Sequence, residues 1–183
     1  VSYYQALLLG RLARVGALLS PLLAGPARLY AAEEGLGAFS EIDGIRTPLE
    51  VDPSLNEGII LVSENDHEHI DRIARVKGLE VIRLGGLAFK ILCVLDPELV
   101  HTYGPRLTKE QKAMLRDLPI LGLASPSAGL HDYAAATVAG KEAGAVVSAV
   151  DGNPNVKTGP GEHGILVANN TRNHGIMVDA MQK

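Results

Sequence analysis

The sequence predicts an α/β protein with a layered α-β-α-β arrangement: an N-terminal antiparallel sheet and a C-terminal mixed or parallel sheet flanked by helices. Three observations predict it. Residues 4–9 and 12–19 are apolar-rich stretches that meet at Gly10-Arg11, and 12–18 alternate with the two-residue period of a strand. Residues 58–84 read strand, helix, strand, the repeating unit of an α/β layer. Residues 131–154 read as a helix, a glycine stop, a strand and a turn.

The elements follow in order. Residues 28–32 form a third strand, and Gly35-Leu36-Gly37-Ala38-Phe39 is a small-residue run that permits a tight crossing. Asp43-Gly44 reads as a surface turn, and 47–57 as a polar linker carrying Pro48 and Pro53. That linker divides the chain into a first sheet layer, 1–57, and an α/β layer, 58–183. In the second part, 58–63 is a buried strand and 66–77 a helix with Ile70, Ile73, Ala74 and Val76 inward. Residues 80–84 are the next strand, and Gly85-Gly86 opens an apolar helix over 89–95. A short helix over 109–118 and a Pro/Ser/Gly loop fill 107–130. Then comes a helix with Asp132 as N-cap and Ala134, Ala135, Val138 and Ala139 on its apolar face. Gly144 ends it, 145–150 is a buried strand, and Asp151-Gly152-Asn153-Pro154 turns. A last strand, 164–169, and a last helix, 171–181 with His174, complete the chain.

Composition narrows the function classes. Hydrophobic content of 46% with 21% charged residues is ordinary for a soluble globular protein, and 183 residues can bury one good core. A net charge of −4 without a basic run argues against a nucleic-acid surface. Arg11 and Arg14 precede an apolar run, 15–27, that imitates a signal peptide, but the run is too short to span a bilayer and Pro21 and Pro26 break it. No membrane is expected on that ground, and Cys93, the one cysteine, cannot form an intrachain disulfide, which points to a reducing cytoplasm.

Candidate chemistry is sparse. An acid at a helix start, Asp132, suits a metal or phosphate site, and equally an ordinary N-cap. Lys90 and Arg106 could hold a phosphate or be plain surface charges. Asp66-His67-Glu68-His69 offers metal-ligand types, but on a helix His67 and His69 point apart, as at a solvated helix start. Lys157-Thr158-Gly159 lacks a Ser-x-x-Lys partner, Gly159-Pro160-Gly161 lacks Gly-Lys-Ser/Thr, and Ser125 and Ser127 fail the Gly-x-Ser-x-Gly spacing. Asn169-Asn170-Thr171 is a glycosylation sequon, irrelevant in a cytosolic protein.

A resemblance adds to this. Asp132, Ala134, Ala135, Glu142, Ala143, Gly144, Asp151, Gly152 and Pro154 stand at the spacing of Trp-Asp-x-Ala-Ala, Glu-Ala-Gly-Gly and Asp-x-x-Gly-x-Pro. This pattern resembles the C-terminal signature of the magnesium-dependent, lithium-sensitive phosphomonoesterases, the superfamily of inositol monophosphatases and 3'(2'),5'-bisphosphate nucleotidases. Ala31, Gly35, Gly37, Ala38 and Phe39 are similar to its Tyr-x-Ala and Gly-x-Gly-Ala-Phe run. Gly86 and Lys90 fit its Gly-Ser-x-x-Lys element, which contacts substrate near the phosphate. Residues 99–103 resemble its strand Asp-x-Tyr-x-Arg, with Arg106 one residue further on. His67 is similar to a Ser-x-x-His of nucleotide-handling relatives. Departures are His131 for Trp, Ala145 for the second Gly, and Leu87 and Ala88 for hydroxyl residues.

The resemblance implies a small phosphorylated substrate, a 3'(2'),5'-bisphosphate nucleotide or an inositol phosphate, and Mg²⁺ that activates water and neutralises the leaving oxygen. It assigns Asp132 to metal and Gly86, Lys90, Arg106 and His67 to substrate. It covers the family's C-terminal two thirds; the upstream Glu and Asp-Pro-x-Asp-Gly-Thr that supply most metal ligands have no counterpart, and Asp43-Gly44 stands in the wrong place to replace them. A chain with little activity alone is therefore expected, or a non-catalytic nucleotide- or partner-binding relative. An uncovered apolar face makes a homodimer a further expectation.

Overall fold

The computed structural model describes residues 3–9, 12–19, 28–33, 35–63, 68–127, 130–154 and 164–182; of these, 3–9, 12–19, 68–70, 102–106, 130–133 and 135 are described by backbone alone. The first sheet is an antiparallel meander in chain order: β1 (Tyr3–Leu9), β2 (Leu12–Leu19), β3 (Arg28–Glu33), β4 (Gly37–Ile42) and β5 (Ile45–Leu49). Strand alternation decides its faces. Tyr30 pairs with Ser40 and Ala32 with Ala38, and this face is buried. Leu29, Ala31 and Phe39 face the other way and are half-buried. There the Arg46 guanidinium lies 4.5 Å from the Phe39 ring centroid and donates to Glu41 at 2.8 Å. Asp43 and Gly44 form the expected turn, with φ of 50° and 80°. The linker begins later than expected, because 47–49 belong to β5. Pro48 sits opposite Phe39 on this edge strand, where a missing N–H costs no ladder bond.

The second sheet is mixed, in the order β7 (Leu79–Arg83), β6 (Gly58–Val62), β8 (Ile120–Ser125), β10 (Ile165–Ala168), β9 (Val146–Ala149). β6 runs parallel to β7 and β8, and β10 runs antiparallel to β8 and β9. β6 is the apolar run Gly-Ile-Ile-Leu-Val, buried throughout, as a strand covered on both faces must be. Its alternate residues feed two cores. Ile59 and Leu61 join α2 (Leu87–Leu95), α4 (Leu130–Glu142) and the buried face of the first sheet. Ile60 and Val62 join Ile73 of α1 (Glu68–Ala74) and Met177 and Ala180 of α5 (Thr171–Gln182).

Three expectations are corrected. Residues 107–130 hold more than a helix, here α3 (Lys109–Asp117) with its Thr108–Gln111 capping box, and a loop. They contain β8, the middle strand of the sheet. Residues 97–106 form a 3₁₀ helix (Pro97–Arg106) instead of a strand: Pro97 presets a helical φ, and the Leu99 amide donates to the Asp96 carbonyl three residues back. Ala74 is exposed, since α1 ends there; Val76 is half-buried and Ile73 fully buried.

Polar clamps join the layers. Asp96, at the C-terminal cap of α2, accepts from Tyr30 Oη at 2.7 Å and from Arg28 Nη1 at 2.9 Å. Burial, and then the hydrogen bond to Asp96 and its charge, push the Tyr30 phenol well up. Asn169, Asn170 and Asn173 all donate to the Leu55 carbonyl, holding the linker against the start of α5. Asn169 is 3% exposed and its amide nitrogen also donates to the Asp52 carbonyl, so the sequon asparagine is a core residue.

Candidate functional site

Topology marks one place on the second sheet. β6 lies between its two parallel neighbours. After β6 the chain turns to α1 and the core shared with α5; after β8 it turns to α4 and the opposite core. Two parallel strands whose connections leave toward opposite faces open a crevice at their carboxyl ends, where α/β folds bind ligands. Val62 pairs with Ala124, so the residues at this mouth are Ser63 and Ser125.

Both are joined to a buried cation. Lys90, on α2, is 2% exposed, and its Nζ donates to Ser63 Oγ at 2.9 Å. Ser63 Oγ lies 2.9 Å from Ser125 Oγ, and Ser125 Oγ donates to the Ser127 carbonyl at 3.1 Å. Ser63 is half-buried and Ser125 is 1% exposed, so Ser63 is the member nearest solvent. α2 carries Lys90 inward because every residue from Ala88 to Leu95 is buried; the helix is apolar all round, and its lysine has no solvent-facing side. Gly86 caps α2 with φ of 75°, a left-handed conformation that leaves the helix start without a side chain.

The other expected site residues fall differently. Asp132 is the third residue of α4, inside its first turn and not at the cap, because the helix starts at Leu130; its side chain lies outside the described residues. The buried residues of α4 are Ala136, Thr137, Ala139 and Gly140, with Ala143 buried just past its end, Ala134 and Val138 half-buried and the Ala135 side chain outside the described residues. Arg106 ends the 3₁₀ helix, with its side chain outside the described residues, and His67 lies outside them altogether.

Glu142, the acid of Glu-Ala-Gly, serves the architecture. Its Oε2 accepts from the Gly35 and Gly37 amides at 3.0 and 3.1 Å, tying the β3–β4 turn to the end of α4. On α5, His174 Nε2 is 2.7 Å from Ser148 Oγ of β9, and burial holds its imidazole below the ordinary value. Sequence reasoning passed over Ser63 and set Ser125 aside for its spacing; the signal that could have found them is the polar end of each apolar run, 58–63 and 120–125.

Among the described residues no three His, Cys, Asp or Glu gather to hold a metal ion, and no helix is long and apolar enough to cross a membrane. Among the described residues the crevice offers two hydroxyls and an ammonium and no carboxylate, which does not suit a hard dication that needs several oxygen ligands.

No family model and no curated protein sequence matches the chain. Solved structures do. The inositol monophosphatase from Anabaena (Nostoc) sp. PCC 7120 superposes with a TM-score of 0.62 at 18% identity, over 93% of this chain and 64% of that one. The IMPase of Thermotoga maritima gives 0.60 at 20% identity, over 94% and 56%. SaIMPase-II, solved with inositol monophosphate and with 2'AMP, gives 0.59 at 19% identity, over 93% and 61%. The chain thus has the inositol monophosphatase fold and spans 56% to 64% of the length of these structures.

Proposed function

We propose that the crevice at the carboxyl ends of β6 and β8 binds a small phosphorylated molecule, a 3'(2'),5'-bisphosphate nucleotide or an inositol phosphate, in a phosphomonoesterase-like protein. The observation that carries this is the place of the Lys90–Ser63–Ser125 chain, which forms a polar, hydrogen-bonded end to the crevice at the switch point of the sheet, where such folds bind ligands. Support comes from the fold, since SaIMPase-II holds inositol monophosphate or 2'AMP. In this proposal Gly86 and Lys90 shape the crevice from α2, Arg106 and His67 contribute from neighbouring segments, and Asp132 supplies one carboxylate for Mg²⁺.

One carboxylate does not complete a magnesium site, and the crevice residues do not fit one, so no hydrolytic step is assigned to them. The chain alone binds and turns over slowly or not at all. Phosphate release from adenosine 3',5'-bisphosphate and from myo-inositol 1-phosphate, with magnesium and with or without lithium, tests this. Background rates are expected; robust lithium-sensitive turnover would overturn it.

A second reading, a non-catalytic ligand-binding relative, is favoured by the same donor set. Calorimetric titration of adenosine 3',5'-bisphosphate separates the two. A binder keeps its affinity in EDTA, whereas a metal-assisted site loses it.

A further inference from the structure

The direction of the hydrogen bonds along the crevice says what kind of group it can read. Lys90 Nζ carries only donors, so Ser63 Oγ is the acceptor of that bond. The Ser127 carbonyl can only accept, so the single hydroxyl hydrogen of Ser125 is spent there. The remaining bond must then run from Ser63 to Ser125, which spends the Ser63 hydrogen as well. Every hydroxyl hydrogen points inward along the chain, from Lys90 to Ser63, to Ser125, to the Ser127 carbonyl. Toward solvent Ser63 presents an oxygen with one lone pair that no described residue uses and no hydrogen to give. Donation from an ammonium also polarises that oxygen.

A phosphate oxygen accepts and does not donate, so a phosphate placed at Ser63 would meet another acceptor. We propose, on the reading of this crevice as the ligand site, that Ser63 is a specificity-determining residue that accepts a hydrogen bond from a hydroxyl or amino group on the uncharged part of the ligand. Lys90 is its positioning residue: it fixes the direction of the chain through Ser63. The phosphoryl group binds elsewhere, and a second phosphate gains nothing at this end of the crevice. The ligand class this favours is a hydroxyl-bearing monophosphate over a bisphosphate.

The test is calorimetry on the full chain with two probe pairs. Myo-inositol 1-phosphate against cyclohexyl phosphate compares ligands with and without hydroxyls, and adenosine 3',5'-bisphosphate against adenosine 3'-monophosphate adds a second phosphate. The expected result is about tenfold tighter binding of inositol phosphate than of cyclohexyl phosphate, the scale of one good hydrogen bond, and no gain from the second phosphate. Ser63→Ala should close the first gap, the loss falling on inositol phosphate. Lys90→Met, if it folds, should narrow the same gap, because the chain through Ser63 then loses its fixed direction. Equal binding of the first pair, a gap that survives in Ser63→Ala, or tenfold tighter bisphosphate binding would overturn the proposal and leave the ligand site standing. If none of the four probes binds, the ligand site itself falls and the proposal with it.

Discussion

Two polar clusters in this molecule use the same physics for opposite ends. At the Glu142 clamp one carboxylate accepts from the Gly35 and Gly37 amides, so donors and acceptor satisfy each other across more than a hundred residues of chain. At the β6–β8 crevice the chain from Lys90 to Ser127 also satisfies its hydrogens, yet it leaves Ser63 half-exposed with an acceptor to spare. The clamp closes on itself and the crevice stays open. A polar group in a quoted motif, Glu142, therefore serves folding, while Ser63 and Ser125, outside every quoted motif, stand beside Lys90 at the crevice.

The sharpest way to break the comparison is to disturb the sheet that carries the crevice. At Gly122 of β8 a Cβ would collide with the Val167 carbonyl and crowd the Ala168 backbone 3.1 Å away. Gly122→Ala should cost about 3 kcal/mol, the upper range of overpacking, read as a drop in the urea midpoint at unchanged slope. Glu142→Ala comes next. It strips the acceptor from two amides, one of them exposed, and should cost about 1–2 kcal/mol while leaving ligand affinity of the folded protein unchanged. If that substitution weakened ligand binding tenfold, the division between clamp and crevice would be wrong.

The legibility of the sequence divides along the same line. The first three strands of the meander and the β6–α1–β7 unit announce themselves because alternation or a glycine-bounded apolar run has one reading. β4 and β5 do not, since 35–39 reads as a small-residue crossing and 47–49 as linker. Nor does β8. Ile-Leu-Gly-Leu-Ala-Ser follows Pro119, contains a glycine and precedes Pro126, so it reads as loop; only the close approach of Val167 explains why glycine stands there. The site was hidden for the same reason, since Ser125 closes that strand. Lys90 is visible in the sequence as a substrate candidate, with a plain surface charge as the other reading of the residue alone, and its burial removes the second. Its neighbours Phe89 and Ile91, in a helix buried from Ala88 to Leu95, are the available sign of burial. Asp132 falls on the expected helix but is its third residue and not its cap, because Leu130 already belongs to it.

The smallest expected effect concerns His174. Its folded pKa lies below its ordinary value near 6.5 because burial disfavours the imidazolium. The unfolded chain therefore takes up this proton first as pH falls. The stability this histidine confers is complete above about 6.5 and is lost on going down to the folded pKa. His174→Gln should flatten that part of the stability profile relative to the unmodified chain. The ligand-binding profile over the same range should not change, since His174 faces Ser148 and not Ser63.

The most direct test of the central claim is a backbone amide chemical-shift titration with myo-inositol 1-phosphate. The account expects the largest shifts at Ser63, Lys90 and Ser125, with Gly35, Gly37 and Glu142 still. Shifts centred on the clamp, or on any surface away from the carboxyl ends of β6 and β8, would contradict it.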